Sequence, residues 1–127
     1  MLTALAFLTF ARDSVTHSVV EVGLGGRLDA TNVVDPAVCA IANVSLDHTD
    51  VLGDSLAQIA AEKAAIIKYG VPVVSGPQPS EVFEVIESVA SAQNAPLTLV
   101  ERDVTWGESR RDALGQRFTV RTARDEY

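Results

Sequence analysis

The sequence predicts an α/β fold: an open, mostly parallel sheet with flanking helices. Three observations carry that reading. Short apolar runs alternate with stretches whose apolar residues recur at helical spacing. The core must be aliphatic, because 47% of the chain is apolar but only 6% is aromatic, and that bias suits parallel strands buried under helices. A length of 127 residues leaves room for one domain or part of one, given the usual ~100–200 residues per domain.

Taken in order, residues 1–11 (MLTALAFLTFA) have the apolar character of a signal-peptide core. No basic residue precedes them, however, and they fall short of the ~20 apolar residues needed to cross a bilayer. The reading adopted is a buried helix over 2–12, uncapped at its start as in a chain that begins inside a larger structure. His17–Val22 (HSVVEV) is dense in β-branched residues and predicts a strand. Gly23, Gly25 and Gly26 open a loop through RLDATN, and Asp35-Pro36 makes a turn. Val38–Val44 predicts a second buried strand, and Ser45–Gly53 a polar loop at its carboxyl end. A helix over 54–68, capped by Asp54 or Ser55, is expected to end at Gly70. Val71–Ser75 predicts a third strand. Ser80 is expected to cap a helix over 81–93 with Val82, Val85, Ile86 and Val89 as its buried stripe. Pro96–Val100 predicts a fourth strand. The tail alternates over Gln116–Arg124 like a half-exposed, antiparallel C-terminal strand, after a turn at Ala113-Leu114-Gly115.

Charge narrows the partners. Ten basic residues stand against 17 acidic, a net charge of −7. No basic run exists to neutralise nucleic-acid phosphates or to meet an anionic membrane. The single cysteine, Cys39, lies in an apolar run. It excludes an intrachain disulfide or a Cys-rich zinc site and reads as a buried structural thiol.

The glycine-rich VGLGGR tempts a dinucleotide reading, but G-x-G-x-x-G needs glycine at 28, where Leu28 stands. The phosphate loop G-x-x-x-x-G-K-[ST] is absent from the sequence. Glu21 within its apolar run either faces water at a strand edge or meets a cation, since burying a lone carboxylate is costly. His48, between Asp47 and Asp50, reads alone as surface decoration. Lys63 reads alone as a snorkelling surface lysine, and His17 has no assigned role. In open α/β sheets ligands gather at strand carboxyl ends, where the loops after Val22 and Val44 both fall.

Together these segments carry a resemblance. EVGLGGRLDATNVVDP, an apolar strand, and SLDHTDVLGDSLAQIAAEKAAIIK follow one another as in the central domain of the folylpolyglutamate synthase and dihydrofolate synthase family, within the wider Mur ligase group. The likeness runs from about Leu2 to Val100. It implies a P-loop NTPase-like central domain, here residues 1–127 without the upstream P-loop part and without the C-terminal glutamate ligase domain. It implies an ATP-dependent ligase that phosphorylates a carboxylate and joins the acyl group to L-glutamate, with dihydropteroate or folates as the carboxylate substrate. By the same resemblance Glu21 and His48 are magnesium ligands, and Lys63 is a carbamylated metal-orienting residue. Two magnesium ions and ATP are then expected, and Leu28, Asp29 and Ala30 match a pterin-contacting segment. Carbamylation makes chemical sense, because it replaces an ammonium beside two cations with the oxygens magnesium prefers.

Ala65 departs from the glycine common in the family, and the tail beyond about residue 101 matches less clearly. The expected whole enzyme is a cytoplasmic monomer acting on small molecules, without nucleic acid or membrane, and this chain alone is expected to be inactive. Rival readings are a non-catalytic α/β module, the central domain of a cell-wall Mur ligase, and a nucleotide-cofactor oxidoreductase built on the GLGG loop.

Overall fold

The computed structural model describes residues 2–113 and 115–127, and for Glu108 and Ser109 the backbone only. Three short strands, β1 (Cys39–Ile41), β2 (Val73–Ser75) and β3 (Leu97–Leu99), form a parallel sheet in the order β1-β2-β3. Cys39 pairs with Val73, and Val73 with Leu97. Helices supply the crossovers: α2 (Thr49–Leu52) and α3 (Leu56–Ala64) between β1 and β2, and α4 (Ser80–Ala92) between β2 and β3. The α/β class read from the sequence is the class observed.

The strands alternate in burial. Cys39, Ile41, Val73 and Ser75 point inward while Ala40 and Val74 face out, so α3 and α4 cover one face. The core joins Cys39, Ile41 and Val44 to Ile59, Ala60, Ala64 and Ile67 from α3 and just beyond it, and to Val82, Ile86 and Ala90 from α4. Each fully buried Ile or Val contributes about 1.5–3 kcal/mol over its exposed state. The observed strands are shorter than the apolar runs that predicted them, and a strand covered on one face needs apolar residues only at alternate positions.

Several expectations need correction. Residues 17–22 form no strand: among the described residues they pair with no neighbour, and Val19 is fully exposed. A strand exists only as part of a ladder, whatever its β-propensity. The N-terminal helix α1 (Leu2–Arg12) forms as expected, but buries none of its described residues. It ends in a Schellman-type turn, with Ser14 at φ 53 and the Val15 amide donating to the Phe10 carbonyl at 2.9 Å.

Helix α3 starts where expected. Ser55, not Asp54, caps it in a reciprocal capping box with Gln58. It ends at Ala64 rather than at 68, because the Glu62 carbonyl accepts from the Arg27 amide and the Ile66 amide turns to the Lys63 carbonyl. Asn32 Nδ2 donates to the Ala65 carbonyl, and Cys39 Sγ to that of Ile66. Gly70 (φ 70) therefore caps no helix; it turns the chain so that its amide donates to the Gln93 carbonyl at 2.8 Å. Pro79 is the N-cap of α4, with Ser80 as the first helical residue and no side-chain cap.

The segment read as a polar loop over 45–53 contains α2, and a 3-10 turn spans Ala30–Val33. The tail strand is observed as β5 (Gly115–Arg121), antiparallel to β4 (Thr105–Asp112), which the sequence reading missed. The two form a separate two-stranded sheet. The turn expected at Ala113-Leu114-Gly115 falls partly on Leu114, outside the described residues.

Candidate functional site

A cleft of about 270 Å³ opens beyond the carboxyl end of β1, between two loops and α3. Val22–Gly25 form one wall. Asn43, Ser45, Asp47 and His48 form another, and Leu52, Ile59 and Lys63 complete it. The position is where an open parallel sheet places ligands.

Each wall is held by identifiable bonds. After β1 the Gln78 side chain stands in for a neighbouring peptide: its Oε1 accepts from the Val44 amide at 2.9 Å, and its Nε2 donates to the Ala42 carbonyl at 2.7 Å. That fixes the backbone on both sides of Asn43. His48 sits at the N-cap of α2 in the left-handed region, φ 51 and ψ 40, a conformation uncommon outside glycine. Its amide donates to Asp47 Oδ1 at 2.8 Å, and Nε2 lies 3.8 Å from Asp47 Oδ2. The imidazole is exposed and open to a ligand.

The glycine-rich wall is organised by Asp29. Its Oδ2 accepts from the amides of Gly23 (3.1 Å) and Leu24 (3.3 Å), and its Oδ1 accepts from the amide and hydroxyl of Thr31. A carboxylate offers about four lone-pair directions, and here four donors use them. The hydrogen bonds from Thr31 hold the Asp29 carboxyl below the usual carboxylate range; burial opposes them, and the Leu24 and Gly23 amides add smaller contributions in the same direction as Thr31. Gly26 lies flat on α3: a Cβ there would stand 2.5 Å from the Glu62 carbonyl oxygen and 3.2 Å from Lys63 Cα. Arg27 seals the contact through Glu62, with Nε 2.9 Å and a terminal guanidinium nitrogen 2.7 Å from Oε1.

Lys63 is half-buried in the cleft, and among the described residues it has no hydrogen-bond or ion-pair partner. A half-buried ammonium left without an anion is an unfavourable arrangement. The structure thus brings Lys63 and His48 into one cleft. Glu21 does not line it but directly precedes Val22, which does. Leu28, Asp29 and Ala30 lie outside the lining, at the entry to the 3-10 turn, where Leu28 is 83% exposed.

Among the described residues no three His, Cys, Asp or Glu side chains gather closely enough to hold a metal ion. The donors of the cleft are instead imidazole, amide, hydroxyl and carboxylate groups around one lysine, and an N-carboxylated lysine would add two oxygens. That set fits a hard divalent cation.

Sequence reasoning missed Asn43, Ser45 and Gln78, which sit in loops with no distinctive pattern, and the Arg27–Glu62 contact. A second, more open cleft of about 630 Å³ lies along α4, lined by Glu84, Glu87, Ser88 and Arg102 among others. It contains none of the residues singled out from the sequence. At its rim Arg102 lies over the Phe83 ring and pairs with Asp103. The hydrogen bonds from Arg102 and from the Leu99 amide push the Asp103 carboxyl down to about 2.

No family model matches the chain, but individual proteins do. Over 101 residues, 79% of this chain and 18% of the relative, it is 48% identical to a folylpolyglutamate synthase of Arabidopsis thaliana. Over 129 aligned positions, 100% of this chain and 30% of the relative, it is 39% identical to a dihydrofolate synthase/folylpolyglutamate synthase of Bacillus subtilis. Among solved structures, a complex of FPGS with AMPPCP and folate superposes with a TM-score of 0.95 at 35% identity, covering 98% of this chain and 30% of that one. The chain therefore spans less than a third of the length of these relatives.

Proposed function

The chain belongs to the folylpolyglutamate synthase and dihydrofolate synthase family, and on that premise we propose that it serves an ATP-dependent acid–amino-acid ligase. In that reaction a carboxylate oxygen of dihydropteroate or a folate attacks the γ-phosphorus of ATP and ADP leaves. The amino nitrogen of L-glutamate then attacks the acyl carbon, phosphate leaves with the bonding pair, and the amine loses a proton to solvent. Residues 1–127 correspond in this reading to part of a Mur ligase-type central domain. The sequence contains no G-x-x-x-x-G-K-[ST] loop, so the phosphate cradle is not built from these residues. The chain alone, given ATP, magnesium, L-glutamate and dihydropteroate, is expected to release no ADP.

What the chain supplies is the metal-facing wall. His48 and Glu21 are the proposed ligands, and Lys63, carbamylated, is the third group. Two magnesium ions, when bound, offset negative charge on the transferring phosphoryl group. His48 presents its exposed ring from the left-handed N-cap of α2. Among the described residues Lys63 has no partner in the cleft, which carboxylation of its nitrogen followed by metal contact would resolve. Leu28 and Ala30 offer apolar surface to a flat pterin ring. Asp29 shapes the loop and reaches a substrate only by sharing an oxygen already bonded within it.

The partners are small molecules. The acidic balance supports an assignment without nucleic acid, and no helix among the described residues is long and apolar enough to cross a membrane. A cytoplasmic monomer completes the proposal.

The observation that carries it is the meeting of His48 and Lys63 beside the Val22–Gly25 wall. The test is Mn2+ titration followed by electron paramagnetic resonance, comparing this chain with its Glu21→Ala/His48→Ala variant. Loss of affinity by about tenfold or more, the usual cost of removing ligands or their supports, is expected. Unchanged affinity overturns the metal site.

A further inference from the structure

We infer that Arg27 and Glu62 form a clasp that sets the glycine-rich loop in register with Lys63, acting as positioning residues for the metal-facing cleft; this rests on the metal-site reading above. Two kinds of bond join the same two residues. The Arg27 guanidinium grips Glu62 Oε1 through two nitrogens at 2.9 and 2.7 Å, and the Arg27 amide donates to the Glu62 carbonyl at 3.0 Å.

The carbonyl bond shows that α3 is adapted to the loop. In a continuing helix the Glu62 carbonyl would accept from the Ile66 amide four residues on. Here the Ile66 amide donates to the Lys63 carbonyl at 3.3 Å, and the Glu62 carbonyl serves Arg27. The helix gives up a ladder bond at the turn that bears Lys63 and turns the acceptor to the loop. Gly26 permits the approach, since any Cβ would strike the Glu62 carbonyl. Behind the loop, Asn32 Nδ2 donates to the carbonyls of Arg27 and Ala65, and Lys68 Nζ holds Asn32 in turn. Glu62 cannot itself answer Lys63, because adjacent helical residues do not face each other. Its carboxylate is directed to the loop, and Lys63 is left to the cleft.

The ion pair is partly exposed, 60% at Arg27 and 22% at Glu62, and such pairs add little to global stability. Its loss should open the loop locally without unfolding the chain.

The experiment compares wild type, Arg27→Ala, Arg27→Lys and the charge-swapped Arg27→Glu/Glu62→Arg pair. It reads amide hydrogen exchange, Mn2+ affinity, and the rate at which an amine-acylating reagent labels Lys63 with metal absent. For Arg27→Ala we expect exchange at Arg27 and Asp29 to rise about tenfold with core amides unchanged, and both Mn2+ affinity and Lys63 labelling to shift by about threefold or more. Arg27→Lys should recover part of each change, because it keeps the charge but not the fork, and the swapped pair more. A uniform rise in exchange at every site marks a merely structural role and overturns the inference. Faster loop exchange with Lys63 labelling unchanged overturns it too. If wild type binds no Mn2+, the metal-site reading fails by itself, and exchange together with Lys63 labelling still decides whether the clasp positions that side chain.

Discussion

Replacing Gly26 by alanine tests how closely the loop must lie on α3. The added methyl would stand 2.5 Å from the Glu62 carbonyl oxygen, 3.0 Å from Ile66 Cγ2 and 3.2 Å from Lys63 Cα. Two of these neighbours are helix backbone and cannot swing aside, so the loop must lift. Overpacking of this kind costs about 1–3 kcal/mol. Lifting also releases the Arg27 amide bond to Glu62, worth about 1 kcal/mol net. The half-exposed ion pair adds at most about another 0.2–1 kcal/mol. Together these contributions come to about 2–5 kcal/mol. Urea unfolding followed by circular dichroism measures it. Gly70→Ala is the matched control: Gly70 has φ 70, and a Cβ added there would meet nothing within 4 Å, so it costs about 1–2 kcal/mol through backbone strain alone. Gly26→Ala should be the more damaging and should also weaken Mn2+ binding, which Gly70→Ala should not. A Gly26→Ala chain as stable as wild type, with Mn2+ affinity intact, would refute the close contact of loop and helix.

Three further outcomes follow from the same structure. The Asp103 and Asp29 carboxyls are held below their ordinary value of 3.8, so each stabilises the fold in its ionised form. That stability is present above the unfolded value and drains away as pH falls toward the folded one, which for Asp103 is about 2. Thermal melts should therefore fall off below about pH 4, and Asp103→Asn should flatten that acid limb. Ser55→Ala removes the reciprocal cap of α3 and should lower stability by about 1 kcal/mol in urea unfolding, while Asp54→Ala should change it by less than half as much. With 13C-bicarbonate present, the wild-type chain should show a carbamate carbon resonance that Lys63→Ala lacks; the same resonance in both would assign it elsewhere.

The core was legible because it follows periodicity. The stripe Val82, Val85, Ile86, Val89 marked α4, and the apolar run around Cys39 marked β1. Residues 17–22 misled because β-branching reports suitability for a ladder, not the presence of a partner. α2 and the 3-10 turn escaped because each spans only four residues and is set by His48 in the left-handed region and by Asp29 as cap. β4 escaped because TWGESRRD lacks an apolar stripe. At the site, His48 and Lys63 were singled out through the order of three motifs, and the cleft holds both. Arg27 and Glu62 stand 35 positions apart, and no local pattern ties a loop arginine to a helical glutamate. Asp29 was read as part of a pterin-contacting segment, and only coordinates reveal that the loop itself uses its oxygens.

Paramagnetic broadening by substoichiometric Mn2+ tests the central claim most directly, because the two clefts give opposite answers. If Glu21, His48 and Lys63 face one ion, resonances of Val22–Gly25, Asp47, His48 and Lys63 should disappear first, and those of Glu84, Glu87 and Ser88 should persist. Broadening that begins on the α4 face and spares His48 and Lys63 would contradict the account.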